Sequence, residues 1–570
     1  MRTTDFLDKR VNGICKELKK LSVKQRVETA DWLYKTGNFL RPENADQDPI
    51  PFAPFDSRTM HWYGPDVHYW FRTDVTAPES FDGRPLWLHV RTQIEEWDDA
   101  KNPQFLLFVN GKVTQGMDMN HRDVLLTPSA RAGEVYRIDL QAYTGILHTE
   151  FNLIVDLREI DPEILGLYYD LAVPLEAFPR LEPDGKPRRD LERVLNDAVN
   201  LLDLRTPYDE SFYASVAEAR KFLQKALYTD LAGHDEVIAS CIGHTHIDVA
   251  WLWTLAQTRE KAIRSFATVN YLMDRYPEYK FLSSQPQLYD FVRKDCPALF
   301  EKIRARVADG HWEPEGGMWL ESDCNMASGE SLIRQFLHGQ EFFGREFGKQ
   351  GHILWLPDAF GFSGALPQIM AQCGMDWFMT TKMAWNDTNC MPHDLTRWRG
   401  IDGTEVLAYF ISTKDYDKRP DRNPKPSFNT TYNGLLNPRQ VMGCWQRFQD
   451  KELTQDVLQC YGYGDGGGGP SYQMLETAQR LKSFPGLPRL ELATSESYFR
   501  DAEPVMEALP VWNDEMYYEF HRGTYTSQAH VKKNNRKAEL LYRQAEMASV
   551  LAAQETGAPY PYDEFLKGYK

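Results

Sequence analysis

The stretch that decides the fold reads Val237-Ile238-Ala239-Ser240-Cys241-Ile242-Gly243-His244-Thr245-His246-Ile247-Asp248-Val249-Ala250-Trp251. It opens with a short apolar run, which is typical of a buried strand, and it ends in imidazole, carboxylate and indole side chains. In α/β folds, ligands bind beyond the carboxyl ends of the strands. The stretch therefore predicts a strand of an α/β domain and a functional edge directly after it.

The sequence on either side of this stretch alternates between short apolar runs and amphipathic helices. Residues 353–356 and 457–461 are further strand candidates, and Ile263, Phe266 and Val269 share one helical face. Strands that alternate with helices indicate a largely parallel sheet. We expect a catalytic α/β domain, barrel-like, over residues 235–511.

The remaining regions differ in character, and together they predict a multidomain α/β protein. Its 570 residues suggest about three to four domains. Asn110-Gly111 after an apolar run is a hairpin signal and indicates a β-sandwich. We expect five parts: an N-terminal helix and linker (1–49), a β-sandwich domain (50–184), a helical connector (185–234), the α/β domain (235–511) and the start of a helical bundle (512–570).

The overall charge argues against nucleic acid as a partner. The formal net charge is −17, and the two basic clusters, at 186–189 and 532–537, are short. Nucleic-acid binding depends on a basic surface that neutralises phosphates. We therefore expect no nucleic acid among the partners and interpret both clusters as solvated faces.

The cysteines and the apolar stretches predict a soluble cytoplasmic protein. The eight cysteines are scattered, without a framework spacing, which favours reduced thiols. Residues 1–9 are polar and do not resemble a signal peptide. No apolar stretch reaches the roughly 18 residues that a membrane helix needs, so no membrane partner is expected.

Three carboxylates follow three of the expected strands, and they are the candidate site residues. Asp248 comes after the first strand, Asp358 lies in Trp355-Leu356-Pro357-Asp358, and Asp465 precedes Gly466–Gly469. Each has a structural alternative, as a helix cap or a turn residue. Together they suggest one convergent site, and the glycines after Asp465 would let a substrate approach the backbone.

The chemistry of these residues permits both metal binding and glycoside hydrolysis. His246 and Asp248, at i and i+2 in extended chain, point to the same side, which is a common start for a divalent metal site. A structural histidine beside a capping aspartate is the alternative. A pair of carboxylates is what glycoside hydrolysis requires.

Several separated segments resemble glycoside hydrolase family 38, the zinc-dependent α-mannosidases, and most closely their cytosolic and bacterial branch. The resemblance covers about residues 235–570, and the preceding β-domain also fits this branch. The segments are, in chain order, 244–251 (HTHIDVAW), 316–319 (GGMW), 328–331 (SGES), 355–361 (WLPDAFG), 462–470 (GYGDGGGGP) and 519–527 (EFHRGTYTS).

The resemblance implies a role for each candidate residue. It implies a retaining hydrolase with Zn²⁺ as cofactor and mannose-containing oligosaccharides as partners. The implied roles are zinc binding for His246, Asp248, Asp358 and the fourth ligand His521, nucleophile for Asp358, acid/base for Asp465, and apolar walls around the sugar for Trp251 and Phe360.

Two other interpretations stay open at this point. His244-x-His246-x-Asp248 resembles the metal motif of the metallo-β-lactamase fold, but that motif continues with histidine where this chain has Val249. Relatives continue well beyond the end of this chain, which stops at Tyr569-Lys570. A truncated, inactive or carbohydrate-binding form is therefore an alternative, as is a homo-oligomer or a missing C-terminal portion.

Overall fold

An amphipathic helix begins the part of the chain that the computed structural model describes, namely residues 6–95, 101, 103–232, 236–417 and 429–569. Helix α1 (Leu7–Leu21) buries Val11, Cys15 and Leu18, which recur at spacings of four and three. These spacings place the buried side chains on one face of the helix. The face packs against the helical connector described below.

Two antiparallel sheets form the N-terminal β-sandwich. The elements in chain order are β1 (Val23–Glu28), β2 (Asp31–Thr36), α2 (Pro42–Gln47), β3 (Ala53–Asp56), β4 (Trp62–Tyr63), β5 (His68–Thr76), β6 (Leu86–Arg91), β7 (Gln104–Val109), β8 (Lys112–Met117), β9 (Asp123–Thr127), β10 (Val135–Tyr143), β11 (Glu150–Phe151) and β12 (Ile154–Ile160). The sheet orders are β1-β12-β6-β9 and β3-β2-β5-β10-β7-β8. The predicted hairpin joins β7 to β8, with Asn110 and Gly111 at φ 50° and 76°.

The sandwich begins and ends earlier than the predicted range 50–184. Strands β1 and β2 lie within 1–49, where we expected a helix and linker, and β1 pairs with β12 while β2 pairs with β5. Strand β1 has no buried residue and carries charged side chains, so its sequence lacks the alternation that marks a half-buried strand. Pairing with a neighbouring strand stabilises it instead.

Three helices connect the sandwich to the α/β region. They are α3 (Pro162–Ala177), α4 (Lys186–Asn200) and α5 (Glu210–Lys225). Helix α3 starts inside the range predicted as sandwich, because Asp161 accepts hydrogen bonds from the backbone N–H groups of Glu163 and Ile164. Helix α3 packs against α1 and α5.

The α/β region contains two five-stranded sheets. Its elements are β13 (Ile238–His244), α6 (Leu255–Arg275), β14 (Phe281–Ser283), α7 (Pro286–Asp295), α8 (Pro297–Ala308), β15 (Trp312–Pro314), α9 (Gly329–Phe347), β16 (Ile353–Trp355), α10 (Leu366–Gln372), β17 (Trp377–Thr380), β18 (Leu395–Arg399), β19 (Glu405–Phe410), α11 (Pro438–Arg447), β20 (Asp456–Tyr461), α12 (Tyr472–Leu481), β21 (Arg489–Leu492), α13 (Ser495–Ala502) and β22 (Val511–Asn513).

The pairing of these strands is mostly parallel, as the alternation predicts. One sheet has the order β15-β14-β13-β20, with β21 also paired to β13, and the other has the order β16-β17-β19-β18-β22. The pair β18–β19 is antiparallel. The chain is therefore a mixed α/β, multidomain protein. Closure of the two sheets into a barrel stays a prediction.

The C-terminal segment is helical, with α14 (Gly523–Thr526), α15 (Ala529–Thr556) and α16 (Tyr562–Tyr569). Helix α15 has no buried residue. Among the described residues, no helix combines the length and the apolar character that crossing a membrane requires. All eight cysteines are free thiols.

Candidate active site

Four of the candidate residues follow the ends of three strands, two in one sheet of the α/β region and one in the other. Strand β13 ends at His244, β16 at Trp355 and β20 at Tyr461. The loops that follow carry His246 and Asp248, then Asp358, then Asp465. The structure therefore brings these four residues together, as expected for the carboxyl edge of such sheets.

His246 lies at the centre of the three carboxylates. Its Nε2 is 3.4 Å from Asp248 Oδ1, 3.7 Å from Asp358 Oδ2 and 3.9 Å from Asp465 Oδ1. One ligand atom each from His246, Asp358 and Asp465 lie within 4.8 Å of one another, and Asp248 is not part of this set of three. Three oxygens around one imidazole nitrogen form a donor set that suits a divalent cation.

Two buried polar atoms in this group have no hydrogen-bond partner within the described chain. They are His246 Nε2 and Asp248 Oδ2, and a third atom, Asp358 Oδ1, has an ion pair with Lys382 in place of a hydrogen bond. Buried polar atoms normally have a partner, so each exception requires an explanation. A bound metal ion explains both, because it would take the imidazole lone pair and the carboxylate oxygen as ligands.

A buried glutamate orients this imidazole from its other side. Glu321 Oε1 is 3.0 Å from His246 Nδ1, which donates to it. Gln285 Oε1 in turn accepts from the Glu321 backbone N–H. With the proton held on Nδ1, Nε2 presents its lone pair to the carboxylates, as a metal-binding histidine requires. No sequence motif marks Glu321, and only its place beyond β15 could have suggested it.

A tyrosine hydroxyl bridges the two other carboxylates. Tyr432 OH is 2.7 Å from Asp358 Oδ2 and 2.9 Å from Asp465 Oδ1. Asn433 Nδ2 donates to Asp465 Oδ2 over 2.9 Å, and Lys382 Nζ is 2.7 Å from Asp358 Oδ1. Sequence reasoning missed these three side chains, because Tyr432 and Asn433 lie outside regular structure and Lys382 lies in a short 3-10 helix without a motif.

The environments of these groups differ electrostatically. Burial raises the pKa of Asp465, the neighbouring Asp248 and Asp358 raise it further, and His246 opposes them. Burial also raises the pKa of Tyr432 well above its usual value, so its hydroxyl keeps its proton. Asp465 is therefore suited to hold a proton, whereas Asp358 has the positively charged Lys382 side chain beside it.

A cavity of about 580 Å³ opens over these carboxylates. Trp251, Phe360 and His521 line it together with Asp358 and Asp465. Trp251 is 55% exposed, so its indole face is available to a ligand. The His521 ring is 4.8 Å from that of Phe360, and this histidine lies outside the set of three ligand residues.

Two family models match the chain. Residues 236–515 match the glycosyl hydrolases family 38 N-terminal domain, and residues 519–569 match the alpha mannosidase middle domain. The two matched ranges contain all seven candidate residues. The match also extends beyond the α/β region into the C-terminal helices.

Three curated relatives are named alpha-mannosidases. Alpha-mannosidase G of Dictyostelium discoideum is 31% identical over 88% of this chain and 45% of that protein. Human alpha-mannosidase 2C1 is 32% identical over 90% of this chain and 48% of that protein, and an alpha-mannosidase of Saccharomyces cerevisiae is 32% identical over 92% and 47%. The chain spans about half the length of these curated relatives.

Proposed function

Because this chain belongs to glycosyl hydrolase family 38, we propose that it is a zinc-dependent retaining α-mannosidase that hydrolyses terminal α-mannosides of oligosaccharides. One observation carries the proposal: Asp358 and Asp465 lie on either side of a single hydroxyl, beside a histidine whose Nε2 has no hydrogen-bond partner among the described residues. The names of the relatives support mannose as the sugar.

The donor set supports a resident metal ion. His246, Asp248 and Asp358 would hold it, with His521 from the same cavity as the fourth ligand. When bound there, zinc supplies a Lewis acid that can bind and polarise sugar hydroxyls. Trp251 and Phe360 would pack against the apolar faces of the sugar ring.

The spacing of the carboxylates supports retention of configuration. Retaining glycosidases place their two carboxyl groups about 5–5.5 Å apart, and inverting enzymes about 6.5–9.5 Å apart. Oxygen atoms of Asp358 and Asp465 lie within 4.8 Å of each other. The two carboxyl groups also contact the same Tyr432 hydroxyl, over 2.7 and 2.9 Å, and carboxyl groups this close together favour direct attack.

The two carboxylates then have different roles in two steps. Asp358 attacks the anomeric carbon and forms an ester, while the glycosidic bond breaks and Asp465 gives its proton to the leaving oxygen. Asp465, now ionised, removes a proton from a water molecule, whose oxygen attacks the same carbon. The ester breaks, mannose leaves and both carboxyl groups return to their starting states.

Tyr432 couples the protonation of Asp465 to that of Asp358. Its hydroxyl has one proton, so it can donate to only one of its two neighbours at a time. When Asp465 is protonated it can donate to the tyrosine oxygen, and the tyrosine can then donate to Asp358. The tyrosine therefore stabilises whichever carboxylate is ionised, which is Asp358 before the first step and Asp465 after its proton has gone to the leaving oxygen.

The eight free cysteines favour a cytoplasmic location for this activity.

The test of the proposed activity is release of 4-nitrophenol from its α-mannoside by the purified chain, with and without a chelator. We expect activity that the chelator abolishes and zinc restores, and that Asp358→Asn lacks. Bound zinc without turnover would favour the inactive or carbohydrate-binding alternative. A chain that binds no zinc would contradict the ligand assignment.

A further inference from the structure

The loop that carries Asp465 has an unusual backbone. We call residues 462–470 the glycine loop. Asp465 has φ 53°, and Gly466, Gly468 and Gly469 have φ of 85°, 91° and 81°. Aspartate enters the left-handed region more readily than most residues with a Cβ, and Asp465 is held there both by a hydrogen bond within the loop, from the Gly467 N–H to the Gly464 carbonyl over 2.8 Å, and by contacts from outside it.

The N-terminal sandwich supplies such contacts. Gln104 Nε2, at the start of β7, donates to the Gly466 carbonyl oxygen over 3.1 Å. After β8, Asn120 Nδ2 donates to the Gly467 carbonyl over 3.3 Å, and His121 Nε2 donates to that of Pro470 over 3.0 Å. Three side chains of one domain thus hold three carbonyl groups of a loop more than 340 residues away in sequence.

The donors are themselves held in place. Gln104 Oε1 accepts from Lys261 Nζ over 2.9 Å and from Arg264 Nη2 over 2.7 Å, which turns its amide N–H₂ towards the loop. His121 Nδ1 is 3.0 Å from Asp118 Oδ1, so its Nε2 faces the loop. Gln104 and His121 are 2% and 4% exposed, and buried hydrogen bonds of this kind restrict motion.

The fit between loop and sandwich is close. A Cβ at Gly468 would lie 2.8 Å from Asp118 Oδ2 and 2.8 Å from His121 Nδ1. On the opposite side, Asn433 holds the Asp465 carboxylate. Asp465 is therefore held by the sandwich, through the loop backbone, and by Asn433 and Tyr432, through its carboxylate.

We propose that Gln104, Asn120 and His121 are positioning residues, through which the N-terminal sandwich holds Asp465 in place for proton transfer. This rests on the proposed function, because it concerns the proton donor of the same reaction. The sandwich would then be part of the catalytic machinery and not only a structural neighbour. Weakening its hydrogen bonds should impair protonation of the leaving group more than attack by Asp358.

The test compares leaving groups in the full chain. The double variant Asn120→Ala, His121→Phe removes two donors to the loop. With a 4-methylphenyl α-mannoside, whose leaving oxygen needs a proton, we expect kcat/KM to fall about tenfold or more. With the 2,4-dinitrophenyl α-mannoside, which leaves without one, we expect less than about threefold loss. Equal losses on both substrates would overturn the proposal.

Tyr271→Phe is the matched control. The Tyr271 hydroxyl accepts from the Leu125 backbone N–H over 2.8 Å, so this variant also removes a sandwich–α6 hydrogen bond but leaves the glycine loop untouched. In this variant the ratio of kcat/KM for the two substrates should equal that of the wild type. An inactive wild-type chain would refute the proposed function itself, whereas an active one with equal losses would refute only the positioning role.

A second readout does not depend on activity. Amide hydrogen exchange of residues 462–470 should become about tenfold faster or more in the double variant than in Tyr271→Phe, because the loop opens more often. Unchanged exchange in this segment would overturn the proposal even if activity fell.

Discussion

Replacing Tyr432 by phenylalanine removes one hydroxyl and leaves the ring in place. That hydroxyl is 2.7 Å from Asp358 Oδ2 and 2.9 Å from Asp465 Oδ1. A hydrogen bond to a charged group contributes about 1.5–3 kcal/mol. At about 1.4 kcal/mol per factor of ten, we expect kcat/KM of Tyr432→Phe to fall about 10- to 100-fold.

The pH profile gives a second expected result for the same variant. The Tyr432 hydroxyl lowers the pKa of Asp465, against the larger opposite effect of burial. Without it, Asp465 should hold its proton to higher pH. The basic limb of kcat/KM, which reports loss of the proton from the acid, should therefore move to higher pH.

The assay is release of 4-nitrophenol from its α-mannoside across the pH range. Tyr289→Phe is the matched control, since it also removes a buried hydroxyl, whose hydrogen bonds go to the Ser283 carbonyl and the Trp312 indole and not to these carboxylates. A Tyr432→Phe enzyme within about twofold of wild type would refute the bridging role. So would an equal loss in Tyr289→Phe.

Three further results are expected. Glu321→Gln should weaken zinc binding about 10- to 100-fold, measured by chelator competition, because the charge that orients His246 is lost; unchanged affinity would contradict this. Burial raises the pKa of Asp456 to about 7, so the folded protein keeps this proton at pH values where the unfolded chain has lost it. The free energy of unfolding should therefore fall as pH rises from about 4 to about 7, by at most about 1.4 kcal/mol per pH unit. Urea unfolding of Asp456→Asn should lack that fall. Gly464→Ala would place a Cβ 2.2 Å from Asn433 Oδ1, and we expect at least about 1–3 kcal/mol of destabilisation and a loss of kcat; wild-type values would show that the loop adapts.

The site residues that follow strand ends were predictable from the sequence, because the pattern that marks each of them lies within a few neighbouring residues. The apolar run before His246 and the Asp358 and Asp465 segments each predict a strand followed by a polar turn, and the structure has strands β13, β16 and β20 there. The hairpin at Asn110-Gly111 is local in the same sense, since both residues tolerate positive φ.

The missed features depend on contacts that are distant in sequence. Strand β1 is defined by pairing with β12, more than 120 residues away. Tyr432 and Asp358, which form a hydrogen bond, are 74 residues apart in sequence, and Glu321 and His246 are 75 residues apart. None of these pairings leaves a periodic or motif-like trace, because each is made by tertiary packing. The role of His521 as a metal ligand stays a prediction, since the structure places it only at the cavity wall.

The most direct test of the central claim is to trap the sugar on the protein. A 5-fluoro-α-mannosyl fluoride forms a slowly hydrolysed ester with the nucleophile of a retaining enzyme. After incubation with the zinc-loaded chain and proteolysis, mass spectrometry should find one mannosyl adduct, on the peptide that contains Asp358, and no adduct in Asp358→Asn. An adduct on another residue, or a turning-over enzyme that releases the inverted sugar without any adduct, would contradict the claim.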